Sequence, residues 1–153
     1  MTRRQISGIV VAEGHSMHEI SCAWKSDMSF VANVNGHELV LDADESFGGH
    51  DQGPRPKPLV LAALAGCSGM DVVSLLRKMR EPVSWFNMRV QGQLSEEHPK
   101  TYTSVRIIYE FKASDGLKDE AVRKAVDLSQ ERYCGVSALL KKAIPVEFEI
   151  AYL

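Results

Sequence analysis

"PLVLAALAGCSGMDVVSLLRKMR", residues 58–80, decides the architecture of this chain. Leu59, Val60, Leu61, Leu64, Val72, Val73, Leu75, Leu76 and Met79 fall around much of a helical circumference, with Ala62, Ala63, Ala65 and Gly66 between them. A helix that is apolar nearly all round is a buried one. Pro58 suits its first turn. Arg77, Lys78 and Arg80 place positive charge at its last turn, where the macrodipole favours it, and Pro82 bars continuation. One small sheet can cover only one side of such a helix. The other side calls for a second subunit, and a twofold dimer is the commonest way to supply it.

Upstream lies "DESFGGHDQGPRPKP", residues 44–58, with Pro54, Pro56 and Pro58 and three glycines. It is a loop, longer than a plain connection needs, and therefore a candidate functional segment. Before it, "HEISCAWK", "MSFVANV" and "HELVLDA" alternate roughly between apolar and polar residues. Asp27 and the Asn35-Gly36 pair punctuate them, so they read as an antiparallel meander. Downstream, "WFNMRVQGQLSE" and "TYTSVRIIYEFKAS" read as two long strands. Val105, Ile107, Tyr109 and Phe111 lie on one face of the second, with Arg106, Glu110 and Lys112 on the other. "KDEAVRKAVDLSQERY" predicts a helix opened by acidic residues. A short helix over Val136–Lys142 and a closing strand "PVEFEIAYL" complete an α+β order rather than a doubly wound sheet. Residues 1–153 form one domain, with 1–16 an irregular N-terminal extension.

Composition narrows the function. A net charge of −2 with interspersed signs leaves no basic footprint for nucleic acid and no polybasic face for a membrane. The charge-free run from Pro58 to Met70 is 13 residues, too short to cross a bilayer. No signal peptide opens the chain, so a cytoplasmic location is the expectation. Three cysteines, an odd and sparse set, argue against a secreted disulfide framework.

Two of those cysteines sit in apolar, helix-like surroundings: Cys67 in the decisive stretch and Cys134 in "RYCGVSALL". Either they are small packing residues, or they form a redox pair, which requires close approach. No CxxC motif is present and neither has a second Cys or His nearby, so a structural zinc site is not expected. Cys22, on an early strand beside Trp24, reads as a core or interface thiol. Asp71, one helical turn after Cys67, reads as a capping or inter-helix hydrogen-bonding residue that would raise the thiol's pKa if close. His15, His18, His37, His50 and His98 are scattered without ligand spacing; His50 alone shares the loop of Arg55. Met28, Met70, Met79 and Met88 read as core or as lining of an apolar pocket.

The segments "GGHDQGPRPKPLVLAALAGCSGMDVVSLLRKM", "EEHPKTYTSVRIIYEF" and "AVDLSQERYCGVSALLKKAIPVEFEI", with the early strands, resemble the OsmC/Ohr family of thiol-dependent peroxidases over roughly residues 17–151. The resemblance is closest to its OsmC-like branch. It implies an intertwined homodimer with antiparallel sheets packed around long buried central helices. It also implies reduction of organic hydroperoxides as an antioxidant function in oxidative stress. Cys67 would be the peroxidatic thiol that becomes a sulfenic acid, and Cys134 the resolving thiol that closes a redox-active disulfide. An external dithiol would reduce that bridge, with no cofactor and no metal. The family's thiolate-stabilising arginine maps onto Arg55, the only arginine between Arg4 and Arg77. The family glutamate that holds it falls at Pro58 or Lys57 here, leaving Asp51, Glu45 and Asp44 as loop candidates for that carboxylate. The alternative is a dimer of the same fold with weak or no turnover that binds a lipid-like apolar ligand.

Overall fold

The structure, a computed structural model, describes residues 17–153; the extension expected over residues 1–16 lies outside them. Two compact units meet in sequence between Arg55 and Pro56. In the first, β1 (Ser21–Ser26), β2 (Ser29–Val34) and β3 (His37–Leu41) form the expected antiparallel meander in the order β1-β2-β3. Val34 pairs with His37, so Asn35-Gly36 is a two-residue loop, with φ of 53° and 84°. That left-handed pair gives the twist that tight hairpins need.

The long loop is ordered by carboxylates. Buried Asp42 accepts from the backbone N–H groups of Ala43 at 2.8 Å, His50 at 3.0 Å and Gln52 at 3.1 Å. These donors, led by Gln52, hold its carboxyl below the usual range. Asp44 caps a 3-10 turn over Glu45–Phe47, accepting from the Ser46 N–H at 3.0 Å.

The second unit contains α1 (Pro56–Lys78), β4 (Phe86–Leu94), β5 (Tyr102–Phe111), α2 (Asp119–Leu128), α3 (Gly135–Leu140) and β6 (Val146–Tyr152). Its sheet has the order β4-β5-β6. Antiparallel sheets were expected, but this one is mixed: β4 runs antiparallel to β5, and β6 runs parallel to it. The chain leaves β5, crosses through α2 and α3, and re-enters in the same direction, which is how parallel neighbours are joined. Val105, Ile107, Tyr109 and Phe111 face the core together with Leu64, Val72 and Leu76 of α1 and Val122, Ala125 and Val126 of α2. On the other face of β5, Glu110 accepts from Arg89 at 2.5 Å and Asn87 at 2.8 Å.

Helix α1 buries a single stripe, Leu64, Ser68, Val72 and Leu76, spaced four residues apart. Within one chain it is therefore not covered all round; Met70 is 76% exposed and Val60 40%. At 23 residues, with a mean hydropathy of 2.0 over its most apolar 18-residue window, it is long and apolar enough to cross a membrane by length and composition. The charge-free run in the sequence suggested otherwise. Its buried stripe is spent on the core of the unit.

Candidate active site

Cys67 occupies the middle of α1, next to Ser68 on the buried stripe, and Asp71 follows one turn later. Cys134 is reached differently. After Leu128, α2 widens into a π-helical turn, Ser129–Tyr133, closed by the Cys134 N–H donating to the Ser129 carbonyl at 2.8 Å. Such turns mark local departures from regular helix and recur at functional sites. Cys134 itself is extended (φ −72°, ψ 98°) and caps α3, its Sγ accepting from the Ser137 N–H at 3.3 Å.

These two local structures bring the Sγ atoms of Cys67 and Cys134 and a carboxylate oxygen of Asp71 within 4.8 Å of one another. Both cysteines are free thiols. Cys67 is partly exposed and Cys134 buried. Burial pushes the Cys134 thiol up to about 11, and the neighbouring Cys67 adds to the rise, against a lowering by the Ser137 N–H.

Beneath the thiols runs a buried polar network. Ser68 Oγ lies 2.5 Å from the Tyr109 hydroxyl and 2.9 Å from Ser129 Oγ. Gln130 Nε2 donates to Tyr109 at 2.7 Å and to Ser68 at 3.2 Å, while its Oε1 accepts from Ser137 Oγ at 2.7 Å. Ser129 Oγ reaches Asp71 Oδ2 at 3.1 Å. Only one proton order satisfies this chain when Asp71 is ionised. Gln130 donates to Tyr109, Tyr109 to Ser68, Ser68 to Ser129, and Ser129 to the carboxylate. Burial raises the Tyr109 phenol, which keeps it a donor. Among the described residues no buried side-chain nitrogen or oxygen lacks a partner. Asp71 thus makes the inter-helix hydrogen bond expected of it, and it also stands beside the thiols. Ser68, Tyr109, Ser129, Gln130 and Ser137 went unrecognised in the sequence. Their one signal was polar residues at positions on apolar stripes.

Arg55 belongs to the first unit, where two carboxylates of its own loop hold it. Nη1 donates to Asp51, and Nη2 lies 3.1 Å from Asp44. These partners raise its pKa further, the Asp51 hydrogen bond most. Of the three acids proposed for this task, Glu45 is the one that takes no part. Cys22, expected in a core or an interface, is exposed on β1 within this chain, which removes the core alternative. The His50 ring lies 3.2 Å from Asp27 on the surface.

On the exposed side of α1, Ala65, Gly69, Met70, Val73, Phe86 and Met88 line an open, largely apolar groove of about 720 Å³.

Residues 49–149 match the family model described as OsmC-like protein. The chain is 36% identical to protein YhfA of Escherichia coli K12 over 124 residues, 80% of this chain and 89% of that one. A crystal structure of a hypothetical protein from Aquifex aeolicus superposes with a TM-score of 0.76 at 27% identity, covering 91% of this chain and 99% of that one. An organic hydroperoxide resistance protein OsmC from Legionella pneumophila shares the fold at 14% identity, with a TM-score of 0.66 over 92% of this chain and all of its own. By matched length, order of elements and sequence, this chain belongs to the OsmC-like protein family.

Proposed function

We propose that the protein is a cysteine-based peroxidase that reduces organic hydroperoxides. The observation that carries this reading is the convergence of two free thiols, one within α1 and one at the N-cap of α3, within 4.8 Å, in a chain of this family. Cys67 is the attacking thiol because it is the more accessible of the two, whereas Cys134 is buried and stays protonated at neutral pH. The Cys67 thiolate attacks the distal peroxide oxygen. The O–O bond breaks, the alkoxide leaves and takes a proton, and Cys67 becomes a sulfenic acid. Cys134 then attacks that sulfur. The S–S bond forms, the S–O bond breaks, and the departing hydroxide leaves as water with the proton of Cys134. Asp71 is the carboxylate placed to carry that proton. An external dithiol returns the bridge to two thiols.

Arg55 joins the reading by its match to the family's arginine. The clasp of Asp51 and Asp44 supplies the orientation that a glutamate gives elsewhere in the family. A guanidinium suits this task because its planar fork can hold a thiolate and a peroxide oxygen together.

Stopped-flow oxidation of the reduced protein by cumene hydroperoxide tests the proposal. It should consume one peroxide per chain and leave an intrachain Cys67–Cys134 bridge with Cys22 free. Peptide mapping that finds no bridge, or Cys22 in it, overturns the assignment.

A second reading has its own support. The groove along α1 is open and largely apolar. It suits a protein of this fold that binds a lipid-like ligand without rapid turnover. A slow reaction with peroxide, together with saturable binding of a fatty acid in that groove, would select it.

A further inference from the structure

Three groups that can each carry negative charge meet at one point: the thiols of Cys67 and Cys134 and the carboxylate of Asp71. The donor chain from Gln130 through Tyr109, Ser68 and Ser129 ends on Asp71 Oδ2 and fixes the orientation of its carboxylate toward the sulfurs. Among the described residues, Asp71 has no ion-pair partner. The Lys141 ammonium, on the neighbouring turn, is spent on the Gln130 carbonyl at 2.8 Å. One carboxylate oxygen and two sulfurs within 4.8 Å of one another are a donor set that a cation completes.

We propose that the reduced thiol pair also binds a thiophilic divalent cation of the zinc class, with Cys67 Sγ, Cys134 Sγ and the Asp71 carboxylate as its protein ligands. Two sulfur donors select zinc or cadmium over magnesium or calcium. Three protein ligands leave a fourth position open to water, as in exchangeable rather than closed structural sites. Tetrahedral zinc, with sulfur at about 2.3 Å, wants its donors roughly 3.5–4 Å apart. The present spacing of up to 4.8 Å requires a closure of about 1 Å. Side-chain rotation at the partly exposed Cys67 and Asp71 can supply it. The outer contacts that orient ligands are already in place, with Ser129 on Asp71 and the Ser137 N–H on Cys134. Local motif spacing argued against zinc, but that argument does not reach donors 67 positions apart that the fold brings together.

The cation and the disulfide exclude each other. Oxidation of the two thiolates by a hydroperoxide transfers two electrons to the O–O bond. With two protons this gives an alcohol and water, forms the S–S bond and releases the ion. The inference needs only the reduced thiols and stands apart from the peroxidase reading.

Cadmium titration of reduced Cys22→Ser protein, without peroxide, tests it through the thiolate-to-metal charge-transfer band in the ultraviolet. We expect saturation at one ion per chain, reversal by zinc, and an affinity at least tenfold weaker in Asp71→Asn. Cys67→Ser, an isosteric change at a partly exposed position, should abolish the one-to-one site even if Asp71→Asn fails to fold. Absence of a saturable band, a band that survives Cys67→Ser, or unchanged affinity in a folded Asp71→Asn overturns the three-ligand site. A protein that binds cadmium so but ignores hydroperoxide would sink the peroxidase reading and leave this one intact.

Discussion

At the scale of single residues, the carboxylates of the first unit do the most work per atom. Asp42 satisfies three backbone N–H groups that the loop between β3 and α1 would otherwise leave unpaired. Its folded pKa lies below its unfolded one, so its stabilisation is complete above the unfolded carboxylate range, near pH 4, and fades as pH falls through the lower folded value. Asp42→Asn should therefore lower the melting temperature at pH 7, and the gap to wild type should narrow as the pH falls below the ordinary carboxylate range. A gap that stays constant in pH-dependent thermal melts would deny Asp42 this role. Arg55 makes the complementary case. Arg55→Ala should slow oxidation of Cys67 by an alkyl hydroperoxide about 100-fold or more at pH 7, the scale of losing one charge-stabilising donor. Global stability should change little. Arg55→Lys should recover only part of the rate, because an ammonium has no planar fork. Unchanged single-turnover rates in both variants would make Arg55 a loop residue and nothing more.

At the scale of elements, the helices and strands were largely legible and the polar site was not. The period of two in β5 and the apolar run of α1 place Tyr109 and Leu64 in the core from sequence alone. The Asn35-Gly36 pair sets a hairpin by backbone chemistry alone. The parallel pairing of β6 was hidden because an isolated strand sequence does not record its direction. Ser68 and Gln130 were hidden because a serine or glutamine on an apolar face announces no partner until the tertiary fold supplies one. Cys67 and Cys134 stood open between packing residues and a redox pair until the family resemblance linked them, since no local motif does. A direct comparison separates the two kinds of core contact. Leu64→Ala, at a fully buried position, should cost about 2–5 kcal/mol through transfer and cavity terms. Tyr109→Phe removes one hydroxyl from a network with alternative partners and should cost about 1–2 kcal/mol. Urea melts that gave the tyrosine change the larger loss would mean the network, not the apolar stripe, holds α1 in place.

At the scale of the whole molecule, α1 buries one stripe and leaves Met70 and Val60 exposed within a single chain. We propose that a second copy covers them, giving a species of about 34 kDa, twice the 17.0 kDa of one chain. Sedimentation at low micromolar concentration should find that species, with folding linked to protein concentration. A compact, folded monomer under those conditions would remove the dimer from the account.

The π-helical turn before Cys134 carries a consequence of another kind. A π turn holds one residue more than the α-helical turn it interrupts, so it has the form of a single-residue insertion. Excising one residue from Ser129–Tyr133 would let α2 run on as regular helix, while everything beyond would swing by about 100° about the axis. The second thiol would then leave the first, and Ser129, Gln130 and Ser137 would lose their common alignment. In this chain the partnership of two distant cysteines hangs on one residue.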